Sequence, residues 1–177
     1  MDNQQAKLIL DMGWLIGFWE GEGCFALRVQ RYQKQKPALR PEMSVVSTDF
    51  ELADRAAEIL KSRGIGVYVY ERQPSTAGYN RKRIKVVNIV GIKRAHKALL
   101  LLLPYMTDSR KKRCAETLLE FCELRLNREN RQSPYTTEEF AIFQRLRDLN
   151  GYQLRQSSRD STRGVFDYNT KVESAAA

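Results

Sequence analysis

Two acids, Glu20 and Glu22, stand among glycines in the run Trp14-Leu15-Ile16-Gly17-Phe18-Trp19-Glu20-Gly21-Glu22-Gly23, reached through a helical segment that starts near Gln5. Gly13, Gly17 and Gly21 recur every four residues and therefore share one face of that helix. A glycine inside a helix costs about 0.8–1 kcal/mol against alanine, and the usual compensation is close approach of a second backbone. If that second helix belongs to an identical copy, carboxylates from both copies converge at the foot of the pair. Like charges held so close call for a cation between them. The plainer reading is a helix that ends in glycines with its acids in solvent.

A second cluster, Arg110-Lys111-Lys112-Arg113, falls on the first turn of a predicted helix. The helix macrodipole opposes cations there by roughly 0.3 kcal/mol or more each. Either these residues meet phosphates or they form a solvated charge run. The whole chain leans the same way: 30 Lys+Arg against 21 Asp+Glu give a net charge of +9, and the pI is near 9.6. Such a balance implies a polyanionic partner, nucleic acid first.

Other classes fall away. His96 is the only histidine, and Cys24, Cys114 and Cys122 are odd in number and lack metal-site spacing. Zinc or histidine-based metal chemistry is therefore excluded, and the thiols read as reduced core filler of an intracellular protein. The longest apolar run, 98–103, is too short for a bilayer and ends at Pro104, so no membrane partner is expected. The polar start, with Asp2 and Asn3-Gln4-Gln5, does not read as a signal peptide.

The elements that must position these groups follow from periodicity. After Gly23 the pattern alternates, with Phe25, Leu27 and Val29 on one side and Ala26, Arg28 and Gln30 on the other. A loop over 31–38 leads to a second strand over 40–46, with Met43 and Val45 inward and Glu42 and Ser44 outward. Asp49 is the expected N-cap of a helix over 50–63, with Leu52, Ala56, Ile59 and Leu60 as its apolar stripe and Gly64 as its stop. A strand over 67–72, with Val67 and Val69 inside, is joined by a turn at 73–82 to a returning strand over 83–90. Helices follow over 92–103, stopped by Pro104, and over 109–126, with a further helix over 137–149 opened by Thr137. The reading is an α+β fold of order αββαββα, its four antiparallel strands covered on one face and basic on the other. Residues 1–126 form the core, and 127–177 a C-terminal helical extension with a polar tail.

The segment Leu15-Ile16-Gly17-Phe18-Trp19-Glu20-Gly21-Glu22-Gly23 resembles the LAGLIDADG motif of the homing endonucleases, with glutamate where aspartate is commoner. The element order over about 5–126 is the one that resemblance implies. It further implies a metal-dependent DNA endonuclease that cuts long duplex sites and leaves 3′ overhangs. Magnesium is the implied cofactor, and manganese or calcium can occupy the site. Glu22 is then the metal ligand, with the Gly21 carbonyl beside it, and Glu20 is held back as structural. Lys111 best matches the lysine that stabilises charge near the metal-bound water, flanked by Arg110 and Lys112 as DNA contacts. Ser47 stands at the family's water-ordering polar position.

One motif per chain implies a homodimer paired through Gly13, Gly17 and Gly21, and hence a pseudo-palindromic target. No small-molecule substrate is expected. A two-stranded ribbon fits the major groove, which makes Arg28, Gln30, Tyr32, Arg40, Glu42, Ser44, Tyr68, Tyr70, Arg72, Arg83 and Lys85 the candidate DNA-binding residues. The alternative on the same scaffold is an RNA-splicing maturase or a DNA-binding protein that does not cleave.

Overall fold

The structure is a computed structural model that describes residues 3–30, 38–73, 82–107, 109–130 and 133–151. Met12, Leu15, Ile16 and Trp19 recur at helical spacing and form the buried side of α1 (Asn3–Glu22). Gly23 ends that helix: its amide reaches the Trp19 carbonyl at 2.9 Å. A side chain at Gly23 would collide with that carbonyl oxygen and approach Trp19 Cε3 to 2.9 Å, so only glycine allows the exit into the sheet.

The sheet comprises β1 (Cys24–Gln30), β2 (Ala38–Ser47), β3 (Tyr68–Arg72) and β4 (Ile84–Val90), antiparallel in the order β1-β2-β4-β3. Register runs Phe25↔Met43 and Leu27↔Pro41 between β1 and β2, Met43↔Ile89 and Val45↔Val87 between β2 and β4, and Val69↔Val87 between β3 and β4. These residues share one face, and Phe25, Met43, Val45, Val87 and Ile89 lie in a single core with the helices. Val69 faces that side too, but on an edge strand it stays 36% exposed rather than reaching the interior.

Helix α2 (Phe50–Ser62) is capped by Asp49, whose side chain accepts from the Glu51 and Leu52 amides, and Gly64 closes it at φ 69°. Its buried stripe is Ala53, Ala56, Ala57, Ile59 and Leu60; Leu52, placed in that stripe by periodicity, lies at its rim and is 36% exposed. Helix α3 (Ile92–Leu102) passes into a 3-10 turn at Leu103–Tyr105 that holds Pro104. Ser109 caps α4 (Arg110–Leu126).

Helix α5 (Thr137–Leu149) is opened by Thr136 rather than Thr137, because Thr136 and Glu139 form a reciprocal capping box. It packs on α4 and β1. Cys114 and Cys122 are buried, and all three cysteines are free. Burial pushes the Cys122 thiol up to about 12. Among the described residues no helix is long and apolar enough to cross a membrane. Tyr32, most of the 73–82 turn and the tail beyond Gly151 lie outside the described residues.

Candidate active site and nucleic-acid interface

The end of α1 separates the two acids. Glu20 accepts from the Thr107 amide at 2.8 Å and from the Thr107 hydroxyl at 2.7 Å. Its carboxylate thereby ties α1 to the segment after α3. Glu22, the last residue of α1, is exposed and has no hydrogen bond or ion pair among the described residues. The last carbonyls of a helix carry its negative end, so Glu22 and the Gly21 carbonyl sit where a cation is favoured. Among the described residues, no group of three or more His, Cys, Asp or Glu side chains could hold a metal.

Lys111 closes on the same point. Its ammonium donates to the carbonyl of Gly23, one residue beyond Glu22. The helix start that made the cation cluster improbable on dipole grounds is what places this lysine at the foot of α1. Arg110 goes elsewhere: one of its guanidinium nitrogens donates to the Leu149 carbonyl at 3.1 Å and caps the end of α5. Lys112 is half-buried, and its amide, not its side chain, meets the Ser109 hydroxyl at 3.3 Å.

Ser47 lies at the same end of the sheet. Cys24 pairs with Ser44, and β2 runs on past the start of β1 to Ser47, roughly 10 Å further along the strand. The Ser47 hydroxyl oxygen accepts from the Asp49 amide at 3.0 Å and shapes the turn into α2.

The glycines of α1 face open space. A Cβ added at Gly13, Gly17 or Gly21 would meet nothing within 4 Å. On the same helix Leu8, Ile9 and Leu10 are 45%, 58% and 70% exposed.

The uncovered side of the sheet carries Arg28, Gln30, Arg40, Glu42, Ser44, Tyr68, Tyr70 and Arg72, as alternation required. Arg28 and Arg40 are direct cross-strand partners, a repulsive placement that Glu42 relieves. Its carboxylate lies 3.7 Å from Arg28 Nε and 3.4 Å from Arg40 Nη2.

Lys85 and Arg83 do not belong to this face. The register Ser47↔Lys85 and Glu71↔Lys85 gives Lys85 the parity of Val87 and Ile89, which points it under the sheet toward α2. There its ammonium meets Asp54 at 2.7 and 2.9 Å and lies 4.9 Å from the Phe50 ring. Arg83 precedes β4, contacts Glu71 at 3.8 Å and lies 5.8 Å from the same ring. A one-residue shift moves a side chain to the other face of a strand, and only the pairing register fixes which face Lys85 takes.

Two further residues join the face. Asn88 pairs with Ser44 on one side and Tyr68 on the other, completing the polar row Cys24, Ser44, Asn88, Tyr68 across all four strands. It is 8% exposed, and its Oδ1 has no partner among the described residues. Its position between the inward Val87 and Ile89 was the signal in the sequence. Arg94 of α3 donates to the Tyr68 hydroxyl at 2.8 Å and lies 5.2 Å over its ring, a contact between elements that no local pattern encodes.

Solved structures share this architecture. The archaeal intron-encoded homing endonuclease I-Vdi141I, complexed with DNA, is 19% identical with a TM-score of 0.65, over 90% of this chain and 96% of that one. The homing endonuclease I-CvuI, in complex with the I-CreI target in the presence of magnesium, is 18% identical with a TM-score of 0.60, over 94% and 97%. The group I intron-encoded homing endonuclease I-CeuI, complexed with DNA, is 19% identical with a TM-score of 0.64, over 85% and 70%. At such identities the likeness is one of fold. No curated protein matches the chain. The family model for the LAGLIDADG-like domain matches residues 10–102, more than half of the sequence, and includes the second half of α1, the entire sheet, α2 and α3. The chain belongs to the LAGLIDADG-like domain family.

Proposed function

We propose that the protein is a homodimeric, metal-dependent DNA endonuclease that makes a site-specific double-strand cut in a long pseudo-palindromic duplex and leaves 3′ overhangs. The observation that carries this reading is the foot of α1. An uncommitted carboxylate, Glu22, sits there one residue before the Gly23 carbonyl that holds the Lys111 ammonium, on a helix of this family whose glycine face is open. Support for DNA and for a divalent ion comes from proteins of the same fold, solved with DNA and in the presence of magnesium or calcium.

Pairing through Gly13, Gly17 and Gly21 brings the Glu22 of each copy to a shared axis, where the two copies contribute to one donor set. Glu22 and the Gly21 carbonyl offer hard oxygen ligands, which fit magnesium. When bound, the metal activates the attacking water and neutralises charge at the scissile phosphate. Lys111 adds a positive charge for the negative charge that develops there, in a site shielded by the second copy. The Ser47 oxygen is taken by the Asp49 amide, which leaves its hydroxyl proton to hold a water. Arg28, Gln30, Arg40, Ser44, Tyr68, Tyr70 and Arg72 face the major groove, and Lys112 lies toward the phosphates, whereas Arg110 is held at the end of α5.

Incubation with a plasmid carrying a randomised insert, in magnesium and then in chelator, tests the reading. It requires metal-dependent double-strand cuts at a few long sites. Binding of duplex DNA without any cutting in magnesium or manganese would favour the maturase or non-cleaving alternative.

A further inference from the structure

The segment between α4 and α5 reaches the outward-reading sheet through the side chain of Tyr135. The Leu39 amide donates to the Tyr135 hydroxyl at 2.7 Å, and that hydroxyl lies 3.4 Å from the Leu39 carbonyl, to which it donates. Leu39 stands where β2 runs out of neighbours. The β2–β4 register ends at Glu42↔Val90, and the Gly91 amide still reaches the Pro41 carbonyl at 3.0 Å before the chain turns into α3. Beyond that point β1 is the only strand beside β2 among the described residues. Leu39 is 4% exposed, so its amide and carbonyl need a partner, and Tyr135 takes the place of the missing strand.

Tyr135 is itself held firmly. Its ring packs against Phe121 and Phe140 at centroid distances of 6.3 and 5.9 Å, and the Arg125 guanidinium lies 4.8 Å over it. Arg125 is 4% exposed and donates to the Ser133 carbonyl at 3.2 Å and to Glu139 at 3.3 Å. Glu139, fully buried, accepts from the Thr136 amide at 2.7 Å and pairs with Arg128 at 3.2 Å. Burial raises the Tyr135 phenol above its ordinary range, so the hydroxyl stays protonated and serves as donor and acceptor at once.

We propose that Tyr135 is a positioning residue for DNA reading: through Leu39 it sets the free arm of β1 and β2, and with it base selectivity in the outer part of each half-site. Arg40 follows Leu39 directly, and its register partner is Arg28. The end of the arm, at Gln30 and Ala38, stands roughly 20 Å along the strands from the α1 end of the sheet. A tilt of the arm therefore moves the outer contacts most. The C-terminal extension thereby acquires a role in recognition without touching a base. This inference rests on the proposed function, since it presupposes a duplex read by the sheet.

The test is selection of bound sites from a randomised duplex library by the full chain and by Tyr135→Phe, which keeps the ring and removes both hydrogen bonds. Wild type should select a long pseudo-palindrome. The variant should lose selectivity at the outer base pairs by roughly fivefold or more per position while keeping the inner ones. An identical pattern at every position overturns the positioning role, and so does a uniform loss at all positions, which marks a merely structural contact. No selected sequence from wild type instead removes the DNA reading itself. Should the variant fail to fold, hydrogen exchange on the wild-type protein reads the same bond: a protected Leu39 amide supports it, and exchange as fast as at an exposed amide overturns it.

Discussion

The Glu20 carboxylate receives two hydrogen bonds from Thr107, at 2.8 and 2.7 Å, whereas Glu22, two residues on, receives none among the described residues. Neighbouring acids in one motif are thus chemically unlike. Glu22→Gln should abolish cleavage and keep DNA binding and fold. Glu20→Gln weakens a partly solvated tie between α1 and the segment after α3. It should cost about 1 kcal/mol of stability, with cleavage at the permissive temperature largely retained. Thermal melts beside a cleavage assay separate the two, and full activity in Glu22→Gln would remove that residue from the mechanism.

Lys111 is bound to the Gly23 carbonyl in the isolated chain, at the foot of α1. Lys111→Met should lower the cleavage rate at saturating DNA by about 100- to 1000-fold, as expected when one charge-stabilising donor is lost. DNA affinity should change little. A large loss of affinity with an unchanged rate would place Lys111 among the phosphate contacts instead. Lys112→Met, on a side chain with no partner among the described residues, should show the reverse pattern.

Gly17, inside α1, and Gly23, just past its end, differ sharply in surroundings. In a single chain, alanine at Gly17 meets open space and should raise helix stability by about 0.8–1 kcal/mol. In a dimer packed backbone to backbone the same methyl obstructs association. Sedimentation should show a dimer for the wild type and folded monomers for Gly17→Ala and Gly17→Leu. Unaltered dimers in both variants would rule out the glycine face as the interface. Gly23→Ala collides with the Trp19 carbonyl whatever the oligomeric state and should cost about 1–3 kcal/mol.

Arg40 and Lys85 have opposite surroundings. Arg40 lies on the uncovered face beside Glu42, and Lys85 lies beneath the sheet against Asp54. Arg40→Gln should weaken binding to a selected site by about 1–3 kcal/mol. Lys85→Gln should leave binding and its salt dependence unchanged and cost about 0.5–1 kcal/mol of stability, the worth of a half-exposed pair. A salt titration of both variants checks the assignment: a slope reduced by about one unit in Lys85→Gln would return that lysine to the phosphate contacts.

Much was legible along the chain because it depends on local chemistry. The Asp49 cap, the Gly64 stop and the alternation from Phe25 to Val29 are properties of a few consecutive residues, and they defined α2 and β1 within a residue or two. The glycine period and the acids of α1 were equally visible, and so was the family they announce. Net charge pointed to a polyanionic partner.

Tertiary structure decided what local rules leave degenerate. A strand has two faces, and only pairing with Val45 and Val87 determined that Lys85 belongs beneath the sheet and Asn88 above it. Glu20 and Glu22 carry the same side chain two residues apart, and a distant threonine, Thr107, engages one of them. Lys111 could not be distinguished from its basic neighbours by spacing. Folding turned it toward Gly23 and sent Arg110 to the end of α5. Tyr135 lies 96 positions from Leu39, and no periodicity spans that interval. Sequence by itself determined which elements form, because caps and hydrophobic periods act over a turn or two. Which functional side chains meet was decided by packing, because the free energy that joins distant segments comes from a core no single segment contains.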